Sequence, residues 1–318
     1  MKIIRRPGAL APGAGTALTI GNFDGVHLGH ARLFREVVRV ARSSGLVPMV
    51  VTFHPHPKEF FSPHAKVARI STLRDRLLWM KHCGIEAVCV LPFDHAMASL
   101  SPEAFAREVL ATQLQAKQVW VGDDFRFGAK RAGDFNTLSE LGQALGFVVH
   151  DLPEVQHDGH RVSSSRVREA LQAGQIDQAK AMLGHPLVYS GKIIHGKKLG
   201  RTLGFPTMNL PIAGRASALS GILAVWVHGL DDKPLPAVAS LGLRPTVEES
   251  SEILLETYIP GWQGNAYGRC VSIEVTAHLR AEAKFDSLDA LVEQMHRDTA
   301  QAMALLAQTH PSSLQSVR

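Results

Sequence analysis

The segment Ala17-Leu18-Thr19-Ile20-Gly21-Asn22-Phe23-Asp24-Gly25-Val26-His27-Leu28-Gly29-His30 decides the reading of the first half of the chain. Residues 17–20 read as a short strand, and Leu33, Phe34, Val37, Val38 and Ala41 then recur at helical spacing. A helix that opens at the carboxyl end of a strand offers free N–H groups and a positive dipole end, which suits phosphate. Gly25 and Gly29 allow close backbone approach, and His27 and His30 put two imidazoles in the first turn, where they can donate to phosphoryl oxygens. A capped helix with two surface histidines is the plainer alternative. A zinc site with His54 and His56 is another, opposed by Pro55, Pro57 and the absence of nearby Cys or acidic ligands.

Outward from this segment, strand candidates at 46–53, 87–91, 119–121 and 147–150 alternate with helical patterns. Ser71, and Ser101-Pro102-Glu103, read as helix N-caps, the latter with Pro at the first helical position. The alternation predicts an α/β domain, a parallel sheet of about five strands with covering helices. After Gly184-His185-Pro186 the rhythm changes to consecutive strands at 188–194, 222–227, 237–241, 253–259 and 271–277, then an amphipathic stretch from Ser287 to about Ala307. That pattern predicts a small closed β-barrel with a terminal helix. The expected domains are residues 1–185 and 186–318.

With 318 residues and about 150 per domain, two domains are expected. Hydrophobic residues at 45% and charged residues at 20% exclude a long disordered or fibrous chain. No apolar run reaches the ~18 residues of a membrane span, and the N-terminal stretch has no apolar core of a secretory signal. Three cysteines without a CxxC suit a reducing cytosol, so a cytoplasmic location is expected. The net charge of +5 is mild, and its surplus lies wholly N-terminal to Leu187. Two uninterrupted basic clusters, Arg161/Arg166/Arg168 and Lys192/Lys197/Lys198/Arg201, favour phosphate sites over a nucleic-acid surface, since aromatics are only 6%. Neither nucleic acid nor a membrane is an expected partner, and the oligomeric state stays open.

Three further segments bear on the first half. Thr52-Phe53-His54-Pro55-His56-Pro57 ends the second strand in a proline-punctuated turn that is as readily structural as functional. Val121-Gly122-Asp123-Asp124-Phe125-Arg126-Phe127-Gly128 ends the fourth strand with acids, aromatics and an Arg, a mix suited to an aromatic ring carrying a phosphate. Ser163-Ser164-Ser165-Arg166-Val167-Arg168 opens a helix, with Ser164 and Ser165 as expected caps and Arg168 one turn beyond Ser165. Together with GNFDGVHLGH, these segments resemble the FMN adenylyltransferase module of bacterial bifunctional riboflavin kinase/FAD synthetases, Ser165 replacing the family's usual Thr. The resemblance implies that Gly21, Asn22, Phe23, Gly25 and Gly29 bind the nucleotide and that His27 and His30 hold the ATP phosphates. It implies that Ser164, Ser165 and Arg168 stabilise the transferring nucleotidyl group, and that Asp124, Phe125 and Arg126 meet the flavin phosphate and ring.

The second half carries four glycines and four cations between Gly191 and Gly204, a loop able to fold over polyphosphate although it is not a Walker A motif. Thr207 and Asn209 alternate on an extended segment and face one way, and their oxygens are hard ligands of the kind that complete a Mg²⁺ shell shared with phosphates. In Ile253-Leu254-Leu255-Glu256-Thr257-Tyr258-Ile259, alternation sets Glu256 with Leu254 and Tyr258, as a general base at a barrel mouth or as an ordinary exposed carboxylate. GRTLGFPTMNL, GILAVWV, the Leu241-Gly242-Leu243-Arg244-Pro245-Thr246 turn and LLETYI resemble the riboflavin kinase module of the same enzymes. By that resemblance, Gly196, Lys197, Gly200, Arg201, Thr207 and Asn209 bind Mg-ATP, and Glu256 deprotonates the riboflavin 5′-hydroxyl. Three residues depart from the family pattern: Met208, which could crowd a pocket, Leu223 in place of Tyr, and Ser240 in place of Asn. The expected substrates are riboflavin, FMN and ATP, and the expected cofactor is Mg²⁺.

Overall fold

The computed structural model describes residues 1–5, 13, 15–62, 67–122, 124–151, 154–196, 199–212, 216–244 and 252–314, with only the backbone of Leu199, Arg201, Leu243, Arg244 and Glu252. Two compact units emerge: Met1–Lys66 with Arg76–Val162, and Val67–Asp75 with Ser163–Arg318.

The first unit is built on a six-stranded parallel sheet: β1 (Lys2–Ile4), β2 (Thr16–Ile20), β3 (Val47–His54), β4 (Ala87–Pro92), β5 (Ala116–Val121) and β6 (Val148–Asp151). Their spatial order is β1-β4-β3-β2-β5-β6, every pair parallel. Five of these strands are the expected ones; β1 is additional, a three-residue edge with Ile3 half exposed and too short to register as periodicity. The chain steps from β2 outward through β3 to β4, then returns to the other side of β2 with β5. The strand order therefore reverses between β2 and β5, and the loops following those two strands share one crevice at the carboxyl edge.

Helix α1 (Leu28–Ser44) buries Leu33, Phe34, Val37, Val38 and Ala41, the positions that recur at helical spacing, and ends at Gly45 with φ 65°. Helix α2 (Pro57–Phe61) starts with a capping box: the His56 Nδ1 accepts from Lys58 N at 3.1 Å, and His56 N donates to Glu59. At α3 (Leu73–His82) the cap is Thr72, not Ser71, because the Thr72 Oγ1 receives the Asp75 N–H at 3.1 Å. Ser101 and Pro102 open the next helix as expected, but its body, Phe105–Gln113, is wound to i→i+5 bonding and ends with Leu114 N–H on Val109 O. Helix α4 (Phe135–Leu145) precedes β6.

The second unit contains β7 (Leu187–Lys192), β8 (Thr207–Ile212), β9 (Gly221–His228), β10 (Leu235–Arg244), β11 (Glu252–Tyr258) and β12 (Cys270–Arg280). They run antiparallel in the order β7-β12-β9-β10-β11-β8. The two end strands are linked where Ile194 N–H donates to Asn209 O at 3.0 Å, so the barrel is nearly closed. Leu223, Val225, Val227, Leu241, Leu255, Ile273 and Val275 fill it, fully shielded from water. Each such side chain contributes about 1.5–3 kcal/mol by leaving water. Residues 241–244, expected as a turn, continue β10 as strand because they pair with β11, while Pro245 and Thr246 lie outside the described residues.

Helices α5 (Ser164–Gln172) and α6 (Ile176–Leu183) belong to this unit, and α6 packs on β12. Helix α7 (Leu288–Leu306), capped by Ser287, lies against β9, β10 and β12 through Ala302 and Leu306. The chain after α7 returns to β12, where Ser312 donates from both N–H and Oγ to the buried Glu274, which also accepts from His228 Nε2 at 2.9 Å. Burial pushes the Glu274 carboxyl up, but the bonds from His228 and Ser312 outweigh it and hold the group below the usual carboxylate range. No helix among the described residues is long and apolar enough to cross a membrane.

Candidate functional site

The crevice of the first unit is lined by the segment after β2. There Phe23, Gly25 and Val26 all have positive φ (51°, 84° and 47°), a backbone that only Gly25 adopts without strain. Gly21 and Gly29 serve a different purpose, close packing. A Cβ at Gly21 would stand 2.8 Å from the Phe23 ring, and one at Gly29 would stand 3.1 Å from the His27 ring. His27 is the N-cap of α1, its Nδ1 accepting from His30 N at 3.4 Å. The two imidazoles stack at 3.6 Å, and the His30 ring meets Phe23 edge-on at 5.1 Å. Arg76 Nη1 donates to the Asn22 carbonyl at 2.5 Å and fixes the start of the loop. The result is a rigid helix start with two paired imidazoles, matched to an anionic group.

Across the switch point, the loop after β5 is pinned by packing. Phe127 is buried against Gly133, where a Cβ would come within 2.6 Å of its ring, and Gly128 (φ 73°) fits against Pro102. Phe125 stacks on Phe127 at 5.5 Å and is half-buried, while Asp124 and Arg126 are exposed. Arg161 Nη1 pairs with Glu154 at 2.7 Å, and its Nη2 lies 3.8 Å from Asp124. Asp123 lies outside the described residues.

Ser164, Ser165 and Arg168 lie on α5, within the other compact unit. The cap of α5 is Ser163, not Ser164 or Ser165. Ser163 holds the extended backbone (φ −145°, ψ 156°) and its Oγ accepts from Arg166 N at 3.3 Å, whereas the next two serines are already helical. Arg168 Nε donates to the Ala68 carbonyl at 2.8 Å.

In the barrel, strand register assembles the second site. Asn209 on β8 lies directly opposite Glu256 on β11, and Thr207 lies opposite Tyr258; on the other flank Glu256 pairs with Ser240 of β10. Directly paired residues of antiparallel strands point to one face with Cβ atoms about 4.5–5.5 Å apart, so Asn209, Glu256 and Ser240 form a row. Asn209 is buried and Glu256 half-buried. Two glycines pack closely beside it: a Cβ at Gly196 would collide with the Asn209 amide of this row, and one at Gly200 with the Phe205 carbonyl. Lys197 lies outside the described residues, as does the Arg201 side chain.

Two cavities flank Thr207. One, of about 400 Å³, is lined by Thr207, Met208, Trp262 and Tyr267 among others. The other, of about 230 Å³, holds Glu256, Ser240 and Tyr258 together with Arg280, Glu282, Phe285 and Asp298 from the β12 end and α7. Of the three departures from the family pattern, Met208 lines the larger cavity, Ser240 lines the smaller, and Leu223 is sealed in the barrel core. Sequence reasoning did not single out Arg280, Glu282 or Asp298. Their only signal is charge between the end of the last strand and the middle of the last helix, since the contacts that unite them are tertiary.

A switch-point crevice with paired imidazoles and a barrel with a carboxylate–amide row suit an enzyme of the nucleotide-dependent transferase class. Two family models divide the chain accordingly, FAD synthetase over residues 11–166 and riboflavin kinase over residues 183–306. The chain belongs to the bifunctional riboflavin kinase/FMN adenylyltransferase family. It is 40% identical over 314 residues to the bifunctional riboflavin kinase/FMN adenylyltransferase of Escherichia coli strain K12, covering 98% of this chain and all of that protein. The proteins of the same description from Pseudomonas fluorescens and Haemophilus influenzae are 39% and 37% identical, over 92% and 91% of this chain and 94% of each of theirs. A solved structure from Streptococcus pneumoniae, titled a macrolide-efflux protein, matches 94% of this chain and 97% of its own at a TM-score of 0.75 and 29% identity.

Proposed function

We infer that the barrel transfers the γ-phosphoryl group of ATP to the 5′-hydroxyl of riboflavin, giving FMN and ADP. The α/β unit then joins FMN to the α-phosphorus of ATP, giving FAD and pyrophosphate. The observation that carries the kinase reading is the register pairing of Glu256 with Asn209 beside a cavity. In the kinase step Glu256 takes the hydroxyl proton as the oxygen attacks phosphorus, and Thr207 and Asn209 hold the nucleotide with the loop around Gly196, Lys197, Gly200 and Arg201. The donor set of a buried amide oxygen, a hydroxyl and nearby substrate phosphates fits Mg²⁺, which when bound neutralises phosphate charge.

In the adenylyl step the flavin phosphate is already ionised, so no base is needed. The α1 N-terminus with Gly21, Asn22, Phe23, Gly25 and Gly29 cradles the ATP phosphates. His27 and His30 donate to them, Ser164, Ser165 and Arg168 steady the group in transfer, and Asp124, Phe125 and Arg126 receive the flavin. The functional boundary falls near residue 185, and the chain works in the reducing cytosol, where its three free cysteines stay thiols. Incubation with riboflavin and Mg-ATP, followed by chromatography, is expected to yield FMN first and FAD after it. Absence of FMN would overturn the kinase reading, and absence of FAD from supplied FMN the other.

A further inference from the structure

The turn that leads into the two histidines is strained backbone. Phe23 (φ 51°) and Val26 (φ 47°) sit in the left-handed region, which for a β-branched residue such as Val26 is an outlier. Such strain persists only where the surrounding structure over-determines it. Gly21 N–H donates to the Val51 carbonyl at 3.0 Å and ties the entry of the turn to β3, and Val26 N–H closes it on the Phe23 carbonyl at 3.2 Å. Between these two bonds, the Asn22 carbonyl accepts from Arg76 Nη1 at 2.5 Å. The Asn22 side-chain Oδ1 is buried and has no hydrogen-bond partner among the described residues, so as an acceptor the residue is held through its backbone. Arg76 is itself in an uncommon place for a guanidinium. It is 3% exposed, as buried as Met80 one turn later on α3, whereas Arg74 lies in solvent. A cation withdrawn from water is costly unless it is hydrogen-bonded, and its bond to a carbonyl is correspondingly strong.

We propose that Arg76 is a positioning residue of the adenylyl site. Through the Asn22 carbonyl it keeps residues 22–26 in the strained form that presents the α1 N-terminus to the ATP phosphates. This rests on the adenylyl reading above. Arg76 acts on the turn and not on the nucleotide. The cradle it maintains holds the phosphates in the ground state and in the transition state alike, so its loss falls on the KM for ATP and leaves kcat nearly unchanged.

The test uses the full chain and two readouts: FAD formation from supplied FMN and Mg-ATP, and amide hydrogen exchange of peptides covering 21–27 and 33–44. Arg76→Met keeps the unbranched stem and removes the donors. It is expected to raise the KM for ATP about 10- to 150-fold, the range for a lost bond to a charged group, with kcat within about fivefold. Exchange in 21–27 should quicken while 33–44 keeps its parental protection. Arg76→Lys retains a cationic donor and is expected to recover most of the KM and of the protection. A guanidinium that only fills space would leave the ATP KM and the 21–27 exchange of Arg76→Met parental, and that result overturns the inference. Equal losses in Arg76→Met and Arg76→Lys also overturn it. If Arg76→Met loses protection throughout 33–44, Arg76→Gln, neutral and too short to reach the carbonyl, takes its place: quickened exchange confined to 21–27 supports the role, and parental exchange there overturns it. If the parent forms no FAD from FMN, the adenylyl reading fails, while the exchange comparison still decides whether Arg76 holds the turn.

Discussion

Replacing Glu256 by Gln removes one proton acceptor and leaves nearly everything else in place. The side chain keeps its length and one carbonyl oxygen, and β11 keeps its register with Asn209 on one side and Ser240 on the other. Because Glu256 is only half-buried, the neutral side chain is expected to alter stability by less than about 1 kcal/mol. Loss of a general base typically costs ~10²–10⁴-fold, which is about 3–5 kcal/mol of transition-state stabilisation. Thr207 and the Gly196 loop are untouched, so KM for riboflavin and Mg-ATP should stay within a few-fold, and the loss should fall on kcat. The assay is one preparation with two substrates, riboflavin for FMN formation and supplied FMN for FAD formation. FAD formation should persist, because its nucleophile is already ionised. Phosphorylation of riboflavin by Glu256→Gln within a few-fold of the parent would show that the carboxylate is structural and refute the assignment.

The His27→Ala/His30→Ala variant should lose most FAD formation and keep FMN formation, since charge-assisted contacts to a transition state are worth roughly 2–4 kcal/mol each; near-normal FAD synthesis from supplied FMN would sink the role. Gly196→Ala should drive a methyl group into the Asn209 amide, and overpacking of about 1–3 kcal/mol should raise the KM for Mg-ATP about 5- to 150-fold in a kinase assay, an unchanged value being the contrary result. Burial holds the Asp75 carboxyl up at about 6, against hydrogen bonds from Thr72 and Ser190, so the folded chain gains stability relative to the unfolded one as pH falls from about 6 towards 4, and above 6 the charge costs about 3 kcal/mol. Asp75→Asn should therefore raise the melting temperature at pH 8 and lose that gain near pH 4; a lower melting temperature at pH 8 would contradict the sign. A fragment of residues 187–318 should phosphorylate riboflavin but melt below a fragment of residues 163–318, which keeps α6 on β12 and the Lys180 bond to the Thr276 carbonyl; equal melting would show that contact to be idle.

Local chemistry was legible from the residues alone. Strand, glycine-punctuated turn and amphipathic helix are short-range patterns, so the segment from Ala17 to His30 announces a helix N-terminus on a sheet edge, and the apolar stripe from Leu33 to Ala41 is the face α1 buries. The change to consecutive strands after Pro186 likewise announces a barrel with a terminal helix. Where two neighbouring residues compete for one local task, short-range reading fails: Ser163 rather than Ser164 or Ser165, and Thr72 rather than Ser71, caps its helix, because the choice depends on where the chain enters the helix.

Long-range register was decided by the tertiary structure. Alternation put Glu256 on a face, but only the pairing of β11 with β8 sets it opposite Asn209, and a slip of one residue would turn the carboxylate to the other side of the sheet. The placement of the β2 and β5 loops at one crevice follows from a strand order that no local pattern encodes. Arg280 and Asp298 look like ordinary surface charges in the sequence. Only the packing of α7 on the barrel joins them, burying Asp298 and partly covering Arg280, because the surroundings of an ion pair are set by the water that the fold excludes and not by the residues themselves.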